Sequence, residues 1–293
     1  MADSMDRLFP GRVFISTVLD ALDTKTTMTG EVARIFLQRA AMAGIIIGVF
    51  YMTNFSIVSV FAGIPVNADL TLAGVGKLIG GLAFGWALVF IYYTKSELLT
   101  SNMMVVTVGV YHKRTTVARS LKIMGLCLLG NFIGGLVIAT LVRFSTLTGG
   151  AVGDQMFAAA AHKLEYISAG PAGWADLFVR AIFCNFMINI AMTLIWNGFI
   201  KDDLTRSLAM IMAVFIFAFL GFEHSVANTV LFTVVGFTHG IDIGLALGNV
   251  AIALVGNYIG GGLLIGLYYA WANDHRHYLK THPELAEEPP VAQ

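Results

Sequence analysis

Two short motifs each occur twice in this chain, at the same separation. Residues 97–102 read Glu-Leu-Leu-Thr-Ser-Asn, and residues 223–228 read Glu-His-Ser-Val-Ala-Asn. The pentapeptide that begins at Asn131, Asn-Phe-Ile-Gly-Gly, is matched by Asn-Tyr-Ile-Gly-Gly at Asn257. Both pairs are 126 residues apart (223 − 97 and 257 − 131). Two matches in one register indicate a chain built from a duplicated half.

Each Glu-x4-Asn motif interrupts a long apolar stretch, which indicates a membrane protein. The 293 residues are 57% hydrophobic and 12% charged, whereas soluble domains carry about 25% charged residues. A membrane-spanning helix needs roughly 20 apolar residues. The pattern predicts an all-α polytopic protein with six transmembrane helices, and the zero net charge gives no indication of nucleic-acid binding. The predicted spans are 37–55, 76–110, 121–142, 177–200, 207–240 and 244–272.

The second and fifth spans are too long for one straight helix, and each contains a Glu-x4-Asn motif. We therefore predict that both helices are broken near the middle of the membrane, where non-helical backbone is tolerated only if it is buried or lines a cavity. The six-helix domain covers 37–272 and divides into repeats of about 37–142 and 177–272. Because each repeat has three spans, an odd number, the two repeats must be inverted relative to each other.

Basic residues are shared unevenly between the two sides of the predicted bundle. Most lie in the N-terminal segment 1–36, in the tail 273–293 and in the loops after the second and fourth spans. Positively charged loops remain in the cytoplasm, so both termini are predicted to be cytoplasmic. The end of the tail, 284–293, is rich in Glu and Pro and is predicted to be disordered.

Ionisable residues inside the predicted spans are the first functional candidates. His224 changes charge near neutral pH and could protonate or hydrogen-bond a small anion, or it could be a satisfied core residue. Glu97 and Glu223 need partners, and the N–H groups freed by a helix break are suitable. These carboxylates could either fasten the broken backbone or take part in transport. Lys95 could neutralise Glu97 or attract anions.

Amide and aromatic side chains complete the candidate set. Amides satisfy orphan backbone groups without charge, so four asparagines at matching positions are predicted to be structural residues of the helix breaks. Phe84 and Phe217 precede the breaks and could form a hydrophobic gate or simply pack. The four asparagines are Asn102, Asn131, Asn228 and Asn257.

Taken together, these motifs resemble the formate/nitrite transporter family, over about residues 30–272. The resemblance implies an aquaporin-like fold of six helices with the second and fifth broken. It also implies a homopentamer in the cytoplasmic (inner) membrane, with one pore per protomer. The segments that carry it are Ser96-Glu-Leu-Leu-Thr100, Asn131-Phe-Ile-Gly134, Arg180-Ala-Ile-Phe-Cys-Asn185, Gly221-Phe-Glu-His-Ser-Val-Ala-Asn228 and Gly256-Asn-Tyr-Ile-Gly-Gly261.

The resemblance also assigns roles residue by residue. His224 matches the central pore histidine, Thr100 the threonine that faces it, and Asn185 the nearby asparagine of the fourth span. Lys163 matches a basic vestibule residue, although the segment His162–Gly173 of the connection 143–176 has the look of an enlarged loop. Phe84 and Phe217 resemble an outer constriction, and Leu88, Leu98 and Ile188 an inner one. Leu99, also expected at the constriction, stands where formate channels commonly have Phe.

The expected function is a passive channel or proton-coupled transporter for small monovalent anions, with formate first, nitrite second, and hydrosulfide or short carboxylates behind. Its partners are these anions, protons, membrane lipid and further copies of the chain. A neutral-solute channel is the alternative. However, Asn-Pro-Ala motifs typical of aquaporins are missing, and His224 and His239 lie in the same span, unlike the two pore histidines of ammonium channels. No enzyme activity or cofactor is expected, because no metal-ligand cluster or nucleophile–base set is visible.

Overall fold

The computed structural model describes residues 2–67 and 69–282, which form helices joined by short connections. The predicted disordered segment 284–293 lies outside the described residues. In chain order the helices are α1 Ala2–Leu8, α2 Arg12–Glu31, α3 Ala33–Ala62, α4 Ala73–Tyr93, α5 Leu99–Tyr111, α6 Val117–Arg143, α7 Gly150–Ser168, α8 Pro171–Trp196, α9 Asp203–Phe219, α10 Ser225–Thr238 and α11 Ile243–Asn257, followed by a π-helical segment Tyr258–Leu267, α12 Tyr268–Ala272 and α13 Arg276–Thr281.

Within the residues that the structure describes, five helical segments are long and apolar enough to cross a membrane. The fifth runs continuously through α11, the π-helical segment and α12, and α5 and α10 are shorter apolar helices. The prediction of an all-α, multi-pass membrane protein is confirmed. The five segments are Ala33–Ala62, Ala73–Tyr93, Val117–Arg143, Pro171–Trp196 and Ile243–Ala272.

The connection between the halves corrects the sequence-based expectation. His162–Gly173 is not an enlarged loop, because α7 extends to Ser168 and α8 begins at Pro171. Buried residues at Gly153, Met156 and Ala160 follow the three- and four-residue spacing of an amphipathic helix. This face packs against α3, α8, α10 and α11. Burial of the apolar stripe stabilises the helical conformation of the segment.

The helices group into two similar sets, α3 to α6 and α8 to α12. In the first set α3 packs on α4 and α6, and in the second α8 packs on α9 and α11. Glycines at matching positions allow close helix approach: a Cβ on Gly134 would overlap the carbonyl oxygen of Ala41, and a Cβ on Gly260 would overlap that of Ile182. The sets meet through α4 with α9, α6 with α10, and α5 with the π-helical segment.

Candidate functional site

Two interruptions, residues 94–98 and 220–224, separate α4 from α5 and α9 from α10, and both close with the same turn. The amide of Ser96 at 3.0 Å and the amide of Phe222 at 2.9 Å each donate to the carbonyl five residues earlier. The preceding residue has a left-handed conformation, with φ of 56° at Lys95 and 68° at Gly221. This is the Schellman ending of an α-helix, in which the left-handed position is usually glycine.

Asn131 of α6 holds the backbone of the first interruption. Its Oδ1 accepts from the amide of Leu99 at 3.1 Å. Its Nδ2 donates to the carbonyls of Glu97 and Ala40, both at 2.8 Å. One side chain therefore satisfies two backbone groups that the helix break leaves without helical partners, those of Leu99 and Glu97, and ties them to α3 through Ala40.

Asn257 repeats this arrangement in the second half. Its Oδ1 accepts from the amide of Ser225 at 2.9 Å. Its Nδ2 donates to the carbonyls of Glu223 at 3.0 Å and Ala181 at 2.7 Å. The two halves thus share the same hydrogen bonds as well as the same motifs.

Glu97 is 7% exposed and belongs to a charged cluster in the first half. Its Oε2 accepts from Asn102 Nδ2 at 3.1 Å and from Lys25 Nζ of α2. The cation paired with Glu97 is therefore Lys25 rather than Lys95, whose ammonium lies 5.1 Å from the ring centroid of Tyr92.

Glu223 is 2% exposed and has the equivalent partners in the second half. Its Oε1 accepts from Lys163 Nζ at 2.7 Å, and its Oε2 accepts from Asn228 Nδ2 at 2.6 Å. Asn249 accepts from Asn228 and donates to the carbonyl of Lys163, both at 2.8 Å. Both buried carboxylates are thus compensated by a lysine and an asparagine, and not by the amides of the broken helices.

In the second half, His224 accepts hydrogen bonds from backbone amides at the start of α10. Its Nδ1 accepts from the amides of Val226 at 3.1 Å and Ala227 at 3.2 Å, in the first turn of α10. An acceptor nitrogen carries no proton, so these contacts assign the neutral tautomer with its proton on Nε2. Nε2 lies 3.2 Å from Thr100 Oγ1 and donates to it in this tautomer.

Asn185 lies near this pair but contacts backbone rather than the imidazole. Its Nδ2 donates to the carbonyls of Thr100 at 3.1 Å and Asn257 at 2.7 Å. Asn189, one turn later, also donates to the carbonyl of Thr100, at 3.2 Å. The two amides fasten the start of α5 to α8 and so set the height of Thr100 opposite His224.

A small apolar chamber lies beside His224. Its volume is about 20 Å³, close to the space that one water molecule needs. The rings of Phe84 and Phe217 meet edge to face there, with centroids 6.1 Å apart. Leu99 is buried but does not line the chamber. The lining consists of Ile47, Phe84, Ala87, Leu88, Ile91, Leu98, Ile188, Val214, Phe217, His224 and Ala227.

Wider cavities adjoin the chamber on both sides. The N-terminal vestibule, about 430 Å³, shares Leu88, Ile91 and Leu98 with the chamber and includes residues of α2. The α7 vestibule, about 400 Å³, shares Phe84, Phe217, His224 and Ala227 with the chamber and includes residues of α7. The charged or titratable residues lining the first are Lys25, Arg39, Tyr92, Lys95 and Glu97, and those lining the second are Tyr51, Lys77, His162, Lys163 and His224.

The sequence patterns did not reveal the role of Lys25. Lys25 precedes its carboxylate by 72 residues, whereas Lys163 precedes Glu223 by 60. The two lysines therefore break the 126-residue register, because they lie on α2 and α7, outside the repeated helices. The sequence indicates that a carboxylate such as Glu97 needs a cationic partner inside the membrane, but it does not indicate which residue that partner is.

The residues of this site lie within the part of the chain that matches a known protein family. A sequence model of the formate/nitrite transporter family matches residues 13–271, which include both vestibules and the chamber. The chain belongs to the formate/nitrite transporter family.

Individual family members share modest sequence identity with this chain over most of its length. The formate channel FocA of Haemophilus influenzae is 29% identical, over 71% of this chain and 76% of its own. The nitrite transporter NirC of Salmonella typhimurium is 27% identical, over 81% of this chain and 82% of its own.

Solved structures share the fold of this family member. A channel described as an FNT family ion channel aligns with a TM-score of 0.73 and 24% identity, covering 88% of this chain and 98% of its own. A pentameric formate channel with formate bound aligns with a TM-score of 0.62 and 22% identity, covering 85% and 98%.

Proposed function

We propose that this protein conducts small monovalent anions, formate or nitrite, across the cytoplasmic membrane. The carrying observation is the chamber, an apolar narrowing between two wide vestibules that each contain a lysine paired with a buried glutamate. Relatives named as formate channels and nitrite transporters support the same choice of anions.

The chamber explains selectivity through the loss of hydration. An anion attracted into a vestibule must shed water to enter a space of about 20 Å³ lined mostly by apolar side chains, and desolvating a charge is costly. A small anion loses the fewest contacts, and a weak acid can also cross in its neutral form. His224, whose Nε2–H is hydrogen-bonded to Thr100 Oγ1, supplies a polar contact at this point.

The interruptions in the helices serve this pathway. We infer that 73–111 and 203–238 each cross the membrane once as a broken helix, which gives six spans in two inverted halves, about 37–142 and 177–272. The matching bonds of Asn131 and Asn257 support the equivalence of the halves. The breaks border the vestibules and the chamber, where non-helical backbone at membrane depth is permitted.

The site residues divide by the contacts that they make. Lys163 and Lys25 serve as vestibule cations. Asn131, Asn185 and Asn257 fasten the backbone of the helix breaks. Asn102 and Asn228 instead donate to the buried carboxylates, and Leu99 is buried outside the chamber lining. The proposed constriction consists of Phe84, Leu88, Leu98, Ile188 and Phe217, with His224 and Thr100 as its polar contacts.

Assembly and orientation complete the proposal. We infer a homopentamer with a pore in each protomer, because a structural relative is described as a pentameric formate channel. Both termini lie in the cytoplasm, in keeping with the basic residues of 1–36 and 273–293.

Flux into proteoliposomes tests the proposal. Purified protein should increase formate and nitrite uptake above that of empty liposomes and leave glycerol uptake unchanged. Recording the internal pH during uptake separates conduction of the anion from movement of the acid or of an anion with a proton. Glycerol uptake without anion uptake would instead assign a neutral-solute channel.

A further inference from the structure

The two halves of the channel differ in how they use one arginine. Arg39 and Arg180 are equivalent, since their carbonyls accept from the amides of Glu97 and Glu223 at 3.1 and 3.4 Å. Arg180 pairs with Asp176 at 2.8 Å. It also caps the end of α9 by donating to the carbonyls of residues 220 and 221.

Arg39 lacks these partners. Among the described residues, the contact of its guanidinium is with Met28 Sδ at 3.4 Å. Arg39 is exposed and lines the N-terminal vestibule. A guanidinium has five donors in a planar fork that matches a carboxylate or oxyanion, and most of these donors face the cavity unused.

Lys95, which lines the same vestibule, likewise has no carboxylate partner among the described residues. It occupies the left-handed position that is Gly221 in the other half, so the backbone there accepts an unfavourable residue. The backbone links the two sites, because Glu97, two residues after Lys95, donates its amide to the carbonyl of Arg39. Glu97, the one carboxylate in the lining of this vestibule as described, is already paired with Lys25.

We propose that Arg39 and Lys95 form a binding site for carboxylates and small oxyanions in the wall of the N-terminal vestibule. Arg39 supplies the paired donors and Lys95 supplies a second positive charge. His224 does not line this vestibule, and the proposed site does not use it. Binding there is an equilibrium property, so it does not depend on the proposed transport.

Trp196 provides a local reporter, since it lines this vestibule with Arg39 and Lys95. In a variant that retains Trp196 and carries Trp86→Phe, Trp174→Phe and Trp271→Phe, fluorescence quenching by iodide reports the anion concentration near the site. Neutral acrylamide reports the access of any quencher to the same ring. The ratio of iodide to acrylamide quenching isolates the effect of charge.

The site predicts saturable iodide quenching that formate relieves by competition. Lys95→Gly and Arg39→Gln should each lower the ratio about two- to fivefold, the range for partly exposed charge pairs. Lys95→Arg keeps the charge and should preserve the ratio. Lys122→Gln, on α6 and outside the vestibule lining, should leave it unchanged.

An unchanged ratio in the combined Arg39→Gln and Lys95→Gly variant would overturn the proposal. Linear iodide quenching that formate does not relieve would also overturn it, because it shows a diffuse electrostatic effect without a site. Neither result bears on flux, so the site and the proposed transport fail independently.

Discussion

Lys95 and Gly221 hold the same position in the turns that end α4 and α9, yet only one of them is a glycine. The left-handed conformation costs an L-residue roughly 1–2 kcal/mol, whereas glycine adopts it freely. Lys95 therefore weakens the helix end on which it lies. The sequence showed Lys95 two residues before Glu97 and suggested that it neutralises Glu97 or attracts anions, whereas only the structure reveals its backbone conformation.

Replacing Lys95 with glycine should therefore stabilise the protein. We expect Lys95→Gly to raise the free energy of unfolding by about 1 kcal/mol, because glycine adopts the left-handed conformation of this turn without steric cost. Thermal unfolding in detergent measures the change. Lys122→Gly, inside α6, should have the opposite effect by a similar amount. A lower melting temperature for Lys95→Gly would show that the side chain stabilises the turn more than its conformation costs.

His224 combines two roles that substitution can separate. Asparagine places an oxygen near the position of Nδ1 and can keep the contacts with the amides of Val226 and Ala227, whereas glutamine reaches toward Thr100. Neither titrates. We expect both to fold and to change the pH dependence of flux, while His224→Ala leaves buried amides unsatisfied and loses about 1–3 kcal/mol. A wild-type pH profile in His224→Gln and His224→Asn would exclude a proton relay through this residue.

At the scale of elements, α2 is tied to the channel through buried charge. Lys25 and Glu97 have side chains that are 14% and 9% exposed, so removing one partner leaves an uncompensated charge. We expect Lys25→Met to cost about 3–5 kcal/mol and the double variant with Glu97→Gln to recover much of the loss. Thermal unfolding of the four proteins in this cycle gives the coupling. Additive losses would show that the pair does not interact.

The C-terminal segment holds the other end of α2. Asp274 accepts from Tyr111 and pairs with Arg276, and Asn273 accepts from the amide of Gly11 at 2.6 Å. The hydrogen bonds from Arg276 hold the pKa of Asp274 well below its ordinary value of 3.8. A carboxyl group whose pKa is lowered in the folded state stabilises that state at pH values above its ordinary pKa. This contribution disappears as the pH falls through the lower, folded-state pKa.

The contribution of Asp274 to this attachment should therefore be insensitive to pH in the physiological range. We expect Asp274→Asn to raise amide hydrogen exchange in segments 9–15 and 273–281, after correction for the intrinsic rate, by the same factor at about pH 5 and pH 8, because the carboxylate stays ionised between them. A smaller effect of Asp274→Asn at pH 5 than at pH 8 would show that this carboxylate loses its charge within the range.

Across the whole molecule, duplication made much of the site accessible from the sequence. The 126-residue offset pointed to the helix interruptions and to Asn131 and Asn257, because those contacts lie within the repeated helices. The contributions of Lys25 and α7 fall outside the repeat and depend on tertiary packing, so no periodic signal marks them. The positions of Phe84 and Phe217 beside one chamber also depend on how α4 meets α9.

The central claim is that the apolar chamber decides which solutes pass, and the size limit for anion flux tests it most directly. Proteoliposomes with the wild-type protein should take up formate or nitrite and exclude lactate, since the chamber has only about 20 Å³ of free space and the larger anion would have to displace more of the lining side chains. Phe217→Ala removes one wall and should admit lactate, while Phe237→Ala, exposed on the surface of the chain, should not. Absence of formate and nitrite uptake in the wild type, or an unchanged size limit in Phe217→Ala, would contradict the account.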